Sequence, residues 1–245
     1  MRIVSWNCNG AFRNKYERVA SFDDDYGDDI LVIQESEAPK LLPGELLERY
    51  PNAVWVGRNH NKGLLVLASE RFQIEIDPEY DTAYEFVVPV RVNGECEFTL
   101  IAVWAQSTDQ LSYTDYVLRP LKRYEPLFNE DTVVVGDFNS TPKVKPPRAT
   151  DSTHMDLVNW LGAHGLVSAY HEHHEEEHGA ETFATYAHQR HLDQRFHIDY
   201  LFASERALRC SAGYHDINEE DLKYSDHLPL FVSPGITRTN IEGAT

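Results

Sequence analysis

Five places in this chain set polar residues of catalytic type at the end of an apolar stretch. Asn7 and Asn9 close the first such stretch, Glu35 follows the second, and Asp137 and Asn139 follow a third. Asp199 lies inside a fourth, and Asp226 and His227 precede the last. Carboxylates, carboxamides and an imidazole at the tips of rigid strands are placed as pre-organised chemistry requires. Each signal alone has an ordinary reading. An acid after a strand is most often a turn or cap, and Gly136-Asp137-Phe138-Asn139 is also a good turn sequence. The ordinary reading needs all of these to coincide in one strand-end setting.

The elements that must position these groups can be read from the hydrophobic pattern. Residues 2–8 form an opening strand and residues 29–34 a second, with Ile30-Leu31-Val32-Ile33 apolar at consecutive positions, as a strand covered on both faces requires. Further strands are expected over residues 53–57, 63–68, 72–76, 84–92 and 97–104, with Asn93-Gly94 as a two-residue hairpin turn. Residues 132–135 form another buried strand, and residues 183–187, 197–203, 208–213 and 228–232 the closing ones. Helices are expected over 14–26, over 111–128 with an interruption or a kink at Pro120, and over 151–164 with Gly165 just past the end. Residues 141–150 and 171–179 read as loops, and the chain from Pro234 as a loose tail. Many short strands with marginal helices imply α+β architecture, two packed sheets with helices outside. One domain over residues 1–233 fits better than two, because strands from both halves are needed to complete the sheets.

The motifs Trp6-Asn7-Cys8-Asn9-Gly10, Gln34-Glu35, Gly63-Leu64-Leu65-Val66-Leu67, Gly136-Asp137-Phe138-Asn139, Ile198-Asp199-Tyr200-Leu201-Phe202-Ala203-Ser204 and Ser225-Asp226-His227-Leu228-Pro229-Leu230 occur in this order across nearly the whole chain. In this the chain resembles the endonuclease/exonuclease/phosphatase superfamily, which includes exonuclease III-type nucleases and deoxyribonuclease I. The resemblance implies a four-layer α/β/β/α sandwich of two mostly antiparallel sheets, and hydrolysis of phosphoesters with Mg²⁺ or Mn²⁺. It makes Glu35 the main metal carboxylate, Asn7 a neighbouring oxygen ligand and Asp226 the completing one. Hard cations select such oxygen donors. It pairs His227 with Asp199 as an acid–base unit, has Asp137 orient or deprotonate the attacking water, and has Asn139 donate to a phosphoryl oxygen. Asn9 stands where some members carry aspartate, as a metal or phosphate contact. One departure is Trp104, where exonuclease III-type members place a tyrosine. Trp104 can donate an indole N–H and stack on a substrate but cannot become a phenolate, which leaves Tyr113 or Tyr116 to supply a hydroxyl.

Composition bounds the partners. The 245-residue chain is 42% hydrophobic and 25% charged, as globular proteins are. It lacks an apolar run of the ~18–20 residues that span a bilayer, and its opening residues do not read as a secretion signal. Three widely spaced cysteines, Cys8, Cys96 and Cys210, do not make a disulfide framework and agree with a reducing cytoplasm. The net charge is −18, and a chain so acidic repels polyanions unless a local patch or bound cations reverse the sign. Surplus acid with scarce lysine fits either a high-salt cytoplasm or an ordinary acidic enzyme. The one dense basic stretch, Lys143 to Arg148, stands close enough to Asn139 to hold an anion. Seven of twelve histidines fall between His171 and His197, open to a zinc-binding reading or to that of a solvated loop, and His154 at a helix start is a further phosphate candidate. The leading expectation is a metal-dependent nuclease acting on DNA or RNA, without a membrane or an obligate protein partner. An enzyme on a small or lipid phosphoester is the alternative, and a non-catalytic binding protein the least favoured.

Overall fold

The computed structural model describes residues 1–20, 29–208, 212–213 and 216–236. Cys210, residues 21–28 and the tail beyond residue 236 lie outside the described residues, and with them parts of the expected 14–26 helix and 208–213 strand. The strands are β1 (Ile3–Asn7), β2 (Ile30–Ser36), β3 (Asn52–Asn59), β4 (Lys62–Ala68), β5 (Phe72–Ile76), β6 (Val87–Gly94) and β7 (Phe98–Trp104). They continue as β8 (Val133–Asp137), β9 (Leu166–Ser168), β10 (Tyr186–Ala187), β11 (Arg195–Phe196), β12 (Asp199–Ser204), β13 (Ala212–Gly213) and β14 (Leu230–Val232). The helices are α1 (Glu17–Ala20), α2 (Gly44–Arg49), α3 (Tyr113–Arg123), α4 (His154–Ala163) and α5 (Ala169–His174).

Two six-stranded sheets, ordered β13-β14-β1-β2-β4-β3 and β5-β6-β7-β8-β12-β9, pack face to face, and β10 and β11 form a small ribbon. In the first sheet the side chains alternate between two cores. Ile3, Ile30, Val32, Leu64 and Val66 face the second sheet. Val4, Trp6, Leu31, Ile33, Leu65 and Leu67 point outward and are covered by Phe12, Val19, Leu42, Leu46 and Tyr50 from the segments carrying α1 and α2. On the second sheet Tyr116, Val117 and Leu121 of α3 and Leu157 and Leu161 of α4 join the main core. Consecutive apolar residues in the strands are therefore explained by cover on both faces. Helical residues, sheet, sheet and helices make the four layers of an α/β/β/α sandwich, and each sheet is antiparallel except for one parallel pair.

Those two parallel pairs set up the site. β1 and β2 end side by side, Asn7 opposite Gln34, and β7 and β8 end together, Trp104 opposite Asp137. β12 runs antiparallel to β8, so its first residue, Asp199, pairs with Asp137. β14 runs antiparallel to β1, which brings residues 226–227 to the same rim. Close approach within the second sheet needs Gly136, where φ is +147° and a Cβ would sit 1.9 Å from the Val103 carbonyl oxygen.

Several expected boundaries move. Asn93-Gly94 is not the tip of a hairpin but extends β6 to pair with β5. Gly94 is needed there because a Cβ would meet the Arg71 carbonyl oxygen at 2.2 Å. The long helix is not interrupted at Pro120: α3 runs through it, capped by the Ser112 hydroxyl, and only a separate turn at Glu125–Leu127 follows. The first part of the 171–179 loop is the end of α5, which stops at Glu175 with φ +54°. The 183–187 strand shrinks to β10, and β9, β11 and α2 are additional.

Candidate active site

The strand ends open onto a cleft of about 390 Å³ lined by Asn7, Asn9, Glu35, Trp104, Asp137, Asn139, Asp226 and His227, with Asp199 behind His227. Residues distributed from position 7 to position 227 are thus brought together. Glu35 reaches the cleft because it is the extra residue of a β-bulge: pairing of β2 with β4 passes from Gln34↔Leu64 to Ser36↔Gly63, and Glu35 takes φ +65°. Bulges re-aim side chains in this way beside functional sites. Asn9 and Asn139 also sit in the left-handed region, at φ +52° and +49°. Asparagine tolerates that conformation, whereas glutamate is strained in it.

Asp137 is the hub. Its Oδ2 accepts from Asn7 Nδ2 and Asn139 Nδ2, both at 2.9 Å, and its Oδ1 accepts from the Asn139 backbone N–H at 2.9 Å. Burial raises the Asp137 carboxyl to about 7, against the pull of His227. The His227 ring places Nδ1 at 3.1 and 3.0 Å from the two oxygens of Asp199. Thr185 Oγ1 donates to Asp199 Oδ2 at 2.7 Å and fixes that carboxylate. Burial would push the imidazolium down, but the charges of Asp199 and Asp137 win and raise it to about 10. The donor atoms of Asp137, Asp199 and His227 all lie within 4.8 Å of one another. An imidazole set between two acids, one nitrogen on Asp199, suits proton exchange better than it suits the coordination of a hard cation.

Other lining residues supply oxygen donors suited to a hard cation. They are the Glu35 carboxylate, the Asn7 carboxamide oxygen and Asp226, whose Oδ1 accepts from Asn9 Nδ2 at 2.7 Å. The Asn7 oxygen accepts the Asn9 backbone N–H at 3.1 Å and keeps its second lone pair for another partner. This all-oxygen set, with only two carboxylates, fits Mg²⁺ or Mn²⁺.

Some neighbours were not singled out by the sequence. Lys62 pairs with Glu35 at 2.8 Å and lies 5.5 Å from the centre of the Trp104 ring. Tyr186 packs its ring 4.6 Å from that of His227. Ser225 donates its hydroxyl to the Asn7 carbonyl and holds the Asp226-His227 turn against β1. Nothing local marks Lys62 or Tyr186; only strand register puts them here. Of the two tyrosines considered, Tyr113 lines the cleft, while Tyr116 is buried with its hydroxyl accepting from the Phe86 N–H. The basic stretch is largely committed elsewhere, Lys143 to Glu181 and Arg148 to Asp151. His154 does not line the cleft; its Nδ1 meets the Ser140 hydroxyl at 3.0 Å in a buried setting.

A layered sandwich with a polar, proton-handling cleft at one rim is thus the class defined by fold and site. The sequence profile of the Endonuclease/Exonuclease/phosphatase family matches residues 4–227, and the chain belongs to that family. No curated protein matches it in sequence. Among solved structures it is similar to a 3′-5′ exonuclease from Neisseria meningitidis, with TM-score 0.66, 18% identity, and cover of 97% of this chain and 100% of that one. An AP endonuclease from Archaeoglobus fulgidus gives TM-score 0.66 and 18% identity over 96% of this chain and 100% of the other. The endonuclease domain of TRAS1, a telomere-specific non-LTR retrotransposon, gives TM-score 0.63 and 17% identity over 97% and 99%. The family and fold make the chain a phosphoester hydrolase of this class. Among the described residues no helix is long and apolar enough to cross a membrane.

Proposed function

We propose that the chain is a Mg²⁺- or Mn²⁺-dependent nuclease that hydrolyses phosphodiester bonds of nucleic acid. The observation that carries this reading is the convergence on one cleft of an oxygen donor set (Glu35, Asn7, Asp226) and a buried Asp137–His227–Asp199 chain. The ion would be held by Glu35, Asn7 and Asp226 and would supply charge neutralisation at the phosphate and leaving oxygen. Asp199 occupies His227 Nδ1, which leaves Nε2 for the cleft; the imidazolium is then poised to donate a proton or to stabilise negative charge at phosphorus. Asp137, whose carboxyl burial raises, is suited to exchange a proton with an attacking water. Asn9, whose Nδ2 keeps one hydrogen beside its bond to Asp226, offers an amide N–H toward a phosphate oxygen. Asn139 gives both of its amide hydrogens, to Asp137 and to the Ala105 carbonyl, so it holds Asp137 and reaches a phosphoryl oxygen only by giving up one of these bonds. Trp104 offers a face for a base or sugar. The family relatives support the nucleic-acid substrate, among them a Neisseria 3′ phosphatase bound to a product DNA hairpin.

A second reading, hydrolysis of a small or lipid phosphoester, is favoured by the −18 charge. One panel separates the two. Chelator-treated protein is supplied with Mn²⁺ or Mg²⁺ and given single-stranded oligonucleotide, abasic duplex, a 3′-phosphate hairpin and soluble phosphomonoesters. Ion-dependent cleavage of the nucleic acids is expected; turnover of the small esters alone would replace the nuclease reading.

A further inference from the structure

The histidine-rich segment builds a second polar centre, none of whose members lines the cleft. His171 at the end of α5, His178 and Glu181 bring ligand atoms within 4.8 Å of one another. The Glu181 side chain is 1% exposed and that of His171 9%. Glu181 Oε1 accepts the Gly179 N–H at 2.7 Å and stands 3.4 Å from His171 Nε2. Yet His171 Nε2 and Glu181 Oε2 make no hydrogen bond. Each has only a long ionic neighbour, Glu181 Oε1 at 3.4 Å for the nitrogen and Lys143 Nζ at 3.3 Å for the oxygen, and buried polar atoms held so loosely leave room for a better partner.

The ring orientations point the same way. His171 Nδ1 is taken by the Ser168 hydroxyl at 2.8 Å. His197 is 1% exposed, and its Nδ1 meets the Phe183 carbonyl at 2.9 Å. That bond requires the proton on Nδ1 and leaves a lone pair on Nε2, which is buried and without a hydrogen-bond partner. A histidine with Nδ1–H on a carbonyl and Nε2 bare is oriented as metal-binding histidines are. The His197 ring centre is 5.8 Å from that of His171. His178 stacks on His171 with centres 3.5 Å apart, and its Nδ1 lies 3.4 Å from His154 Nε2.

We propose that His171, His178 and Glu181, with His197 as a fourth donor, form a site for a borderline divalent transition metal, with Zn²⁺ as the reference ion. Three imidazoles and one carboxylate suit zinc and not magnesium. Zinc bonds of ~2.0–2.2 Å hold tetrahedral donors roughly 3.3–3.6 Å apart, so the three donors close by about an ångström. The ion displaces Lys143, whose Nζ lies 3.3 Å from Glu181 Oε2 and whose side chain is 39% exposed and able to swing outward. The segment that follows Asn139 stays against the site through Pro142, which lies beside Gly179. This centre does not depend on the nuclease reading.

The test uses the full chain stripped by chelator, with Glu35→Ala in the background so that the cleft contributes no carboxylate ligand at that position. Zinc is titrated by calorimetry and retained metal is counted after gel filtration. One equivalent is expected, with a melting temperature raised by several degrees. His178→Ala and Glu181→Ala should each weaken binding at least tenfold. Lys143→Met, which removes the competing cation and is compatible with folding, should tighten binding several-fold. No retained zinc and no thermal shift would overturn the proposal, as would full affinity in His178→Ala or an unchanged affinity in Lys143→Met.

Discussion

Glu35 stands at φ +65° on a bulge, a conformation that costs a non-glycine residue roughly 1–2 kcal/mol. Strain kept at a cleft carboxylate separates what the residue does for the fold from what it does for the reaction. Glu35→Asn should keep the melting temperature, because asparagine accepts that backbone, yet lower turnover by ~10²-fold or more; Glu35→Val should lose both, with a stability loss of roughly 1–2 kcal/mol. Equal activity in wild type and Glu35→Asn would remove Glu35 from the reaction. His227 and Asp199 form the opposite case, a buried pair in which each partner compensates the other. His227→Ala should abolish turnover and cost about 3–5 kcal/mol, because it leaves the Asp199 charge alone inside. Adding Asp199→Asn should restore much of that stability without restoring activity, a double-mutant pattern readable by urea unfolding and kinetics. The meeting of the nine expected residues in and behind one cleft was legible because each sits at or near a strand end in a distinctive short motif. Lys62, Tyr186 and Thr185 were not, since each becomes part of the site only through a cross-strand partner far along the chain.

The site exists because parallel pairing of β1 with β2 and of β7 with β8 ends four strands at one rim. Gly136 makes the second pairing possible. Gly136→Ala should cost about 3 kcal/mol or more, since the clash is with fixed backbone, the Val103 carbonyl, and not with a side chain able to turn away. A melting temperature within 2 °C of wild type would show that the strands can separate there at little cost. Strands were easier to read than the rest because their apolar runs are continuous, the pattern that double-sided cover demands. The His171 end of α5 was missed because glutamates and histidines mask any helical apolar stripe, and packing of Tyr170, buried at 1% exposure, determines the helix instead. At Asn93-Gly94 turn chemistry was a false guide, because there glycine serves close approach between β5 and β6.

Across the whole molecule, a net charge of −18 coexists with cations largely committed to local pairs, such as Arg18 with Asp221, Arg71 with Asp29 and Arg91 with Asp77. Among the described residues that line the cleft, Lys62 alone is a lysine or arginine, and it is paired with Glu35. A protein with 6–10 phosphate contacts loses ~10³–10⁵ in affinity between 50 and 200 mM salt. Here the KM for an oligonucleotide should change less than about tenfold over that range, and a steep rise would reveal a basic track that the charge distribution does not provide. Acid acts through a different set of groups. Burial lowers His154 and His197 to about 4 and His178 to about 3, against about 6.5 in the unfolded chain. Between those values the unfolded state binds protons that the folded state refuses, so stability falls as pH drops from about 6.5 toward 4. His154 and His197, the more deeply enclosed, contribute on the order of 3 kcal/mol each once the window is crossed. Glu181, held far below the usual carboxylate range although burial opposes it, by His171 beside it and the Gly179 N–H, adds a further loss below about 4.5. Asp137, raised by burial, works the other way between about 3.8 and 7 and offsets one of the histidines. The melting temperature of the chelator-treated chain should therefore drop by roughly 10 °C from pH 7 to pH 4.5. In His197→Gln, which keeps a side chain able to donate to the Phe183 carbonyl but has no proton to gain, the drop should shrink measurably; an identical drop would take His197 out of the acid response.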